Sequence, residues 1–442
     1  MSATDWAGRR LHFIGIGGAG MSGLALVARA LGAEVTGSDR AESSYAARLR
    51  EAGIEPSIGH DAANLPAGAE VVVSTAIGED NPELAAARAA GAPVLHRGDL
   101  LAEASRLART IAVSGTHGKT TTASMAAHVL VELGRDPSYL IGGELRSTGT
   151  NAAWGSGEWL VVEADESDRS FLKLAPEVAV VTNVELDHHA TYRSELELEH
   201  AFAQFTAGAE RVWAWEQAGV DGKARHYGIE SGDLAARDLE PAAFGSRFTV
   251  DGVPVELRVP GRHNVLNALA ALAACREAGV EPAEAASALA TFPGAKRRFE
   301  LRGRTAAGAV VYDDYAHHPT EVRATLEAAR TLGAKRVVAA FQPHLYSRTR
   351  LLARDFGRAL ALADLVLVLD VYPARERAED HPGVSGWLVA AATADAAHGR
   401  PVWWTPSMDD AERLLDGLLE DGDALLTLGA GDIDALAARL AG

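Results

Sequence analysis

The sequence predicts an α/β protein of three domains, each built on a largely parallel sheet. A chain of 442 residues is too long for one ordinary domain. Short apolar runs alternate with helical patterns, and three segments each lead from a basic stretch through such a run to a glycine loop or turn. We expect a Rossmann-like domain over 1–108, a phosphate-loop domain over 109–296 and a Rossmann-like domain over 297–442.

Composition narrows the class of protein. The 60 acidic residues outnumber the 42 lysines and arginines, so the formal charge of −18 argues against a broad nucleic-acid-binding face. The single cysteine, Cys275, excludes an intramolecular disulfide and a cysteine zinc site. No apolar run reaches the roughly 18 residues of a membrane span. We therefore expect a cytoplasmic protein that binds neither nucleic acid nor membrane. It is expected to be a monomer or a homodimer, and the sequence does not decide between the two.

The first glycine loop follows a predicted strand and precedes a predicted helix. Gly15, Gly17 and Gly20 match the G-x-G-x-x-G pattern, and Asp39 lies where the second strand should end. Glycines let a backbone approach a diphosphate, and an acidic residue can accept a ribose hydroxyl. A nicotinamide or flavin cofactor, another nucleoside diphosphate and a tight turn without a ligand all remain open from this motif.

The second glycine loop, Gly115-Thr116-His117-Gly118-Lys119-Thr120, lies between an apolar strand and a helix. Its amides can surround phosphate oxygens, while Lys119 neutralises charge and the Thr120 hydroxyl ligates magnesium. It is not a Walker A motif, because Val113 stands where that motif requires a glycine. The loop therefore indicates an ATP site of a shortened type, in preference to a glycine turn with a solvated lysine.

Two acidic clusters follow later strands of the same segment. Residues 163–168 come after the run WLVV, and residues 183–189 come after VAVVT. Hard cations take carboxylate oxygens, and a neutral imidazole can complete a site. Either cluster alone could be solvated, but both lie at strand ends beside the phosphate loop. We expect Glu166 and His188 to join Thr120 around phosphate-bound Mg²⁺.

Further candidates lie later in the chain. Asn264 and Asn267 open an alanine-rich helix, where they could meet a purine edge or where Asn264 could cap the helix. Residues 313–319 end one predicted strand, and residues 342–349 end the next. Ligands bind at strand ends of open parallel sheets, so the histidines and arginine of these segments could supply a base and cations for an anionic intermediate.

Eight motifs together resemble the Mur ligases. GIGGAGMSGLA, SGTHGKTTT, EADESDRSFL, TNVELDHH, GRHNVLNALAA, KRRFE, DDYAHHPTEV and FQPHLYSRT occur in the order of that family, from about residue 10 to the C-terminus. Their form is similar to the members that add L-alanine to UDP-N-acetylmuramate. The resemblance implies an ATP- and Mg²⁺-dependent ligase of peptidoglycan precursor synthesis, and it favours UDP over NAD at the first loop.

The resemblance also implies roles for individual residues. Catalytic roles would fall to Lys119, Glu166, His188, His318 and Arg348. ATP would contact Gly115, Thr116, His117, Gly118, Lys119, Thr120, Thr121, Asn264, Asn267, Arg298 and Asp314. The UDP substrate would contact Gly15, Gly17, Gly18, Gly20, Asp39, Ser74 and Thr75. The amino acid would contact His344, Tyr346 and Arg348, and magnesium would bind Thr120, Glu166 and His188. Leu345 stands where many relatives have arginine, so the contacts to charged groups in this segment depend more on Arg348.

Three other functions are compatible with parts of the sequence. Recycling members of the same family attach a whole tripeptide to the same nucleotide. A nicotinamide-dependent oxidoreductase is supported only by the segment from Gly15 to Asp39 and has no use for Lys119. A non-catalytic nucleotide sensor would need the phosphate loop without the metal and histidine residues. The general base of the reaction is not assigned from sequence.

Overall fold

The computed structural model of the chain describes residues 6–187, 191–242 and 244–441. Three largely parallel sheets with flanking helices confirm the predicted α/β class. The chain divides into two compact units: residues 1–238, 248–255 and 266–293 form the first, and residues 239–247, 256–265 and 294–442 form the second. The boundaries predicted near 108 and 296 stay predictions. Among the described residues, no helix is both long and apolar enough to cross a membrane.

The first sheet has five parallel strands in the order β3-β2-β1-β4-β5. Its strands are β1 (Arg10–Ile14), β2 (Glu34–Asp39), β3 (Ser57–Ile58), β4 (Glu70–Val73) and β5 (Val94–His96). Its helices are α1 (Ala19–Ala30), α2 (Ala46–Glu51), α3 (Pro82–Ala89) and α4 (Arg97–Ser105). The first glycine loop joins the central strand β1 to α1, as the sequence predicts.

The second sheet has ten strands, in the order β15-β14-β13-β12-β11-β10-β6-β9-β7-β8. They are β6 (Arg109–Ser114), β7 (Ser138–Leu145), β8 (Thr150–Ala153), β9 (Trp159–Glu163), β10 (Val178–Val181), β11 (Arg211–Trp215), β12 (Arg225–Ile229), β13 (Leu234–Ala242), β14 (Gly245–Val250) and β15 (Val253–Leu257). The helices are α5 (Lys119–Glu132), α6 (Glu195–Ala207), α7 (Arg262–Glu277) and α8 (Pro282–Leu289). Because β6 lies between β9 and β10, the loops that follow these three parallel strands are neighbours.

The third sheet has the order β16-β17-β21-β18-β19-β20, with only β16 antiparallel to its neighbour. Its strands are β16 (Glu300–Arg304), β17 (Val310–Asp314), β18 (Val337–Phe341), β19 (Leu365–Val368), β20 (Val402–Trp404) and β21 (Ala424–Leu428). Its helices are α9 (Pro319–Arg330), α10 (Tyr346–Leu360), α11 (Gly386–Ala396), α12 (Met408–Leu418) and α13 (Asp434–Leu440). Apolar clusters cover both faces, which is why its central strands are continuous apolar runs.

The first two sheets share one core within the first unit. Helix α1 packs on β7 and β8, and a Cβ at Gly23 would lie 3.1 Å from Leu140 and 3.2 Å from Ala152. Buried side chains of both sheets form one continuous apolar cluster. This packing fixes the first glycine loop relative to the phosphate loop.

Candidate active site

The phosphate loop connects β6 to α5 through two glycines that no other residue could replace without strain. Gly115 and Gly118 have φ of 131° and 82°. A Cβ at Gly115 would overlap the Thr182 hydroxyl, and a Cβ at Gly118 would overlap Oδ1 of Asn267. Glycine is therefore required here both for the backbone angle and for space.

The loop is tied to the segment that follows β10. The carbonyl of Asn183 accepts from the Thr116 amide at 3.1 Å, and its side-chain Oδ1 accepts from the His117 amide at 2.9 Å. The Thr116 hydroxyl donates to the carbonyl of Glu185 at 2.8 Å. Asn183 was not among the predicted site residues, although its place directly after a buried strand was a usable signal.

Lys119 forms a buried ion pair at the first residue of α5. Its Nζ lies 2.9 Å from Oε2 of Glu166, a residue that is 1% exposed. The same ammonium donates to the carbonyls of Gly115 at 2.6 Å and Thr116 at 3.2 Å. Burial opposes the charge, but Glu166 and the neighbouring carboxylates outweigh it and raise the pKa of Lys119. Lys119 is therefore a cation at neutral pH.

Thr120 contacts the carboxylate of Glu163, which was not among the predicted site residues. Its hydroxyl donates to Oε2 of Glu163 at 3.0 Å, and the amide of Gly142 donates to the same oxygen at 2.7 Å. Glu163 is the last residue of β9, next to β6 in the sheet. Thr121, the next residue of α5, is buried. Thr120, Lys119 and the two glutamates thus lie around one end of the phosphate loop.

Two of the three predicted magnesium ligands can be located. Thr120 and Glu166 contact Glu163 and Lys119 respectively, whereas His188 lies outside the described residues. Hydroxyl and carboxylate oxygens are the donors that Mg²⁺ prefers. The residues present therefore fit a hard divalent cation in their chemistry.

The first glycine loop is closed by contacts to β2. The amides of Gly15 and Ile16 donate to the carbonyl of Ser38 at 2.8 and 2.9 Å. The amide of Gly17 donates to Oδ2 of Asp39 at 2.8 Å. Asp39 is thus brought to the loop as predicted, with one carboxylate oxygen on the loop backbone.

The remaining predicted UDP contacts lie at the same sheet edge. Gly18 is the N-cap of α1, Gly20 is the second residue of that helix, and no acidic residue lies in its first turn. Ser74 and Thr75 follow β4, and a Cβ at Gly15 would come within 3.1 Å of Ile77 in the same segment. An anion at the N-terminus of α1 would meet the positive end of the helix dipole.

In the second unit, Asp314 ends β17 as a buried acceptor. Its two oxygens accept from the amides of Phe299 and Ala316, each at 2.8 Å. Burial raises the pKa of Asp314 to about 6, although Arg298 and the two amides favour the charged form. The guanidinium of Arg298 lies 5.3 Å from the centre of the Tyr315 ring. The structure therefore brings the predicted residues Arg298 and Asp314 to one sheet edge.

His344 and Arg348 meet between β18 and α10. Nη1 of Arg348 lies 3.3 Å from Nδ1 of His344, and the His344 ring stacks on Tyr372 with ring centres 5.9 Å apart. Tyr346 instead stacks on His381. Leu345 is buried at φ 71°, a backbone angle that is costly for leucine, and it is the N-cap of α10. The strained turn at Leu345 thus lies between His344 and Arg348, whose side chains contact each other.

His318 has a defined local role. It is the N-cap of α9, where its Nδ1 accepts a hydrogen bond from the amide of Thr320 at 3.4 Å. The backbone amide of His318 in turn donates to the carboxylate of Glu321. The neighbouring His317, which was not predicted, has its ring 6.0 Å from that of His344. The catalytic role of His318 stays a prediction.

The asparagines of α7 are both buried. Nδ2 of Asn264 donates to the carbonyl of Pro260 at 2.7 Å, so its amide joins the helix to the preceding chain. Oδ1 of Asn267 accepts from the Thr122 hydroxyl at 3.3 Å, beside the phosphate loop. Their contact with adenine stays a prediction.

Three family models cover the chain almost end to end. The Mur ligase family catalytic domain matches residues 10–109, the Mur ligase middle domain residues 113–275 and the Mur ligase glutamate ligase domain residues 297–431. The chain belongs to the Mur ligase family. It is therefore an ATP-dependent ligase, and the oxidoreductase and sensor alternatives are set aside.

Individual Mur ligases are similar over their full length. The UDP-N-acetylmuramate–L-alanine ligase of Streptomyces coelicolor is 50% identical over 98% of this chain and 96% of its own. That of Rubrobacter xylanophilus is 46% identical over 98% and 100%. The solved UDP-N-acetylmuramate-alanine ligase of Thermotoga maritima is 30% identical with a TM-score of 0.83, and a murein peptide ligase from Psychrobacter arcticus is 27% identical with 0.75; each covers 98% of both chains.

Proposed function

We propose that this Mur ligase joins L-alanine to the lactoyl carboxylate of UDP-N-acetylmuramate, with cleavage of ATP, in cytoplasmic peptidoglycan precursor synthesis. The observation that carries the proposal is the phosphate loop with Lys119 on Glu166, in a chain that matches alanine ligases over its full length. Eight relatives of that name are 45–50% identical over nearly their full length, and among the solved structures the alanine ligase of Thermotoga maritima has a TM-score of 0.83 against 0.75 for the murein peptide ligase. Alanine is therefore favoured over the tripeptide.

The reaction needs ATP because a carboxylate is a poor electrophile. One lactoyl oxygen attacks the γ-phosphorus, the bond from that phosphorus to the β-γ bridging oxygen breaks, and ADP leaves. The alanine nitrogen then attacks the acyl carbon, gives up a proton, and inorganic phosphate leaves as the amide forms. The ammonium of Lys119 neutralises charge on the transferring phosphoryl group from its place at the N-terminus of α5.

The loop glycines and asparagine position the nucleotide. Gly115 and Gly118 leave the backbone open, and Asn183 holds the Thr116 and His117 segment in place. Asn264 and Asn267, with Arg298 and Asp314, contact the remainder of ATP in this proposal. The backbone N–H groups of the first turn of α5, which begins at Lys119, then face phosphate oxygens in this proposal.

Mg²⁺ would be held by Thr120 and Glu166, with His188 as the third ligand. The carboxylates of Asp165, Glu166 and Asp168 form ion pairs with Lys119 and Arg97, and Glu163 adds a fourth carboxylate beside Thr120. These four negative charges favour the binding of a divalent cation. When bound, the ion neutralises charge on the phosphates. Lys119 orients Glu166 for that contact through the 2.9 Å ion pair.

The UDP-linked acid and the amino acid are bound by different segments of the chain. The first glycine loop, Asp39, Ser74 and Thr75 bind the UDP part of the substrate. Arg348 binds the carboxylate of L-alanine, and His344 orients its guanidinium through the 3.3 Å contact. In this proposal Tyr346 also contacts the amino acid, and His318 has a catalytic role.

Phosphate release from ATP tests the proposal. The purified enzyme is incubated with ATP, Mg²⁺ and UDP-N-acetylmuramate, and phosphate is measured with L-alanine, with the tripeptide L-alanyl-γ-D-glutamyl-meso-diaminopimelate, or with no amine. We expect release that depends on L-alanine. Release only with the tripeptide, or with neither amine, contradicts the proposed function.

A further inference from the structure

Arg97 lines a cavity between the start of α1, where the first glycine loop ends, and the end of β9, where Glu163 contacts Thr120 of α5. The cavity has a volume of about 160 Å³ and lies within the first unit. Gly20 of the first loop lines one side, and Glu163 and Asp165 of the central sheet line another. Leu24, Leu101 and Leu140 supply apolar walls. Arg97 is the only cationic side chain among the described residues that line it.

The backbone of Arg97 is held firmly. It is the first residue of α4, where His96 and Asp99 form a capping box: Nδ1 of His96 accepts from the Gly98 amide, and Asp99 accepts from the His96 amide, each at 3.2 Å. A Cβ at Gly98 would lie 2.6 Å from the Cβ of Ser170, so α4 approaches that segment as closely as a glycine allows. The start of α4 therefore has little freedom to move.

A single nitrogen of the Arg97 guanidinium makes the hydrogen bonds to both Asp165 and Asp168. Nη2 donates to Oδ2 of Asp165 at 2.7 Å and to Oδ2 of Asp168 at 2.8 Å. The described residues provide no hydrogen-bond acceptor for Nε or Nη1 of Arg97. Nη1 lies 3.3 Å from the point that a Cβ on Gly20 would occupy. Three N–H groups thus remain for another partner, on the side of the first glycine loop.

The charge of Arg97 is secure. The side chain is 20% exposed; burial disfavours the cation, but Asp165 and Asp168 outweigh that effect and raise its pKa further. A fixed cation with unused donors in a small, partly apolar cavity suits a carboxylate or a phosphate oxygen.

We propose that Arg97 binds an anionic group of the UDP-linked acid through Nε and Nη1 while Nη2 stays on Asp165 and Asp168. This inference rests on the proposed function. The acid must extend from the first glycine loop to the phosphate loop, and Arg97 lies on that path, between Gly20 and the Glu163 that holds Thr120. The anionic group is either the diphosphate or the lactoyl carboxylate.

The same side chain connects substrate binding to the catalytic loop. Asp165 and Asp168 flank Glu166, the partner of Lys119. Arg97 therefore holds the loop that contains Glu166 in place through Asp165 and Asp168. A ligand bound to Arg97 thus contacts a side chain that also supports the ion pair between Lys119 and Glu166. We expect Arg97→Met to weaken binding of the acid more than it changes the affinity for a non-hydrolysable ATP analogue.

Calorimetric binding of three nucleotides tests the assignment. Wild type and Arg97→Met are titrated with UDP, UDP-N-acetylglucosamine and UDP-N-acetylmuramate. We expect at least a tenfold loss of affinity for UDP-N-acetylmuramate. A loss that extends to UDP supports contact with the diphosphate, and a loss confined to UDP-N-acetylmuramate supports contact with the carboxylate. Unchanged affinity for all three overturns the role of Arg97.

Controls separate this role from folding and from the proposed function. Arg109 is an arginine of the same unit whose guanidinium pairs with Glu177 at 2.7 Å on the surface, so Arg109→Met should leave all three affinities unchanged. Arg97→Lys, which keeps the charge but not the fork of donors, provides a second variant and should bind UDP-N-acetylmuramate less tightly than wild type. Wild type that fails to bind UDP-N-acetylmuramate contradicts the proposed function itself.

Discussion

Nζ of Lys119 lies 2.9 Å from Oε2 of Glu166, and the glutamate is almost completely buried. Breaking a buried pair by removing one partner leaves an uncompensated charge. Two carbonyls of the same loop also accept from the ammonium, so its position is fixed without a nucleotide. The loop therefore has its cation in place when phosphate arrives.

Lys119→Ala should lower kcat on the order of a hundredfold or more, because one cationic contact to a transferring phosphoryl group is worth several kcal/mol of barrier. It should also destabilise the fold, by about 3 kcal/mol, because Glu166 loses its cation. Initial rates of phosphate release and urea unfolding measure the two effects.

Lys173→Ala is the matched control for Lys119. That lysine also forms an ion pair, with Asp99 at 2.6 Å, but both side chains are more than 40% exposed. Exposed pairs contribute little to stability, so the rate should remain within about twofold of wild type. If Lys119→Ala behaved like Lys173→Ala, the phosphate loop would be misassigned.

Gly118→Ala should raise the KM for ATP at least tenfold. Alanine at φ 82° costs about 1 kcal/mol or more, and its Cβ would displace Asn267 from beside the loop. Steady-state kinetics with varied ATP provide the measurement. Gly134 follows the same helix at φ 66° with open space around it, so Gly134→Ala should carry only the backbone cost and leave the KM unchanged. Equal KM values for the two variants would argue against a steric role of Gly118.

Asp314 should make the fold less stable as pH rises. The pKa of Asp314 is about 6 in the folded protein, against an ordinary aspartate value of 3.8, so between these values the folded state binds more protons than the unfolded state. The free energy of unfolding of wild type should then fall by about 2 kcal/mol between pH 4 and pH 6.5, relative to Asp314→Asn. Denaturant titrations at several pH values give this difference.

The control for that titration is Asp395→Asn, an exposed aspartate on α11. Its difference from wild type should show no comparable fall over the same pH range. A difference between wild type and Asp314→Asn that stayed constant, or grew, as pH rose would refute the raised pKa of Asp314.

Arg348→Ala should raise the KM for L-alanine about 10- to 100-fold, because a charge-assisted hydrogen bond to a carboxylate is worth about 1.5–3 kcal/mol. The KM for ATP should change much less. Arg350→Ala removes an exposed arginine two residues further along α10 and should leave both values near wild type. An unchanged alanine KM in the Arg348 variant would remove that residue from the amino-acid site.

The sequence predicted the local parts of the site well. Each glycine loop joins a strand to a helix within one short continuous segment, and both loops occur where predicted. The need for glycine at position 118 follows from the backbone angle that a helix N-terminus of this kind requires. Asp39 lies at the end of β2 and contacts the first loop, as its spacing indicated.

Contacts between distant segments could not be predicted in the same way. Glu163 meets Thr120 because β9 and β6 are neighbours in the sheet, and that order is a property of the fold. Arg97 meets Asp165 across 68 residues for a similar reason, since the first two sheets share one core. His318 is a local feature that was nevertheless missed, because its motif did not indicate that the imidazole caps α9.

The path of one oxygen atom tests the central claim most directly. UDP-N-acetylmuramate labelled with ¹⁸O in its lactoyl carboxylate is turned over with ATP and L-alanine, and the released phosphate is analysed by mass spectrometry. If the loop around Lys119 activates the acid by phosphorylation, each phosphate carries one ¹⁸O from the carboxylate. Amide product accompanied by unlabelled phosphate would contradict the account.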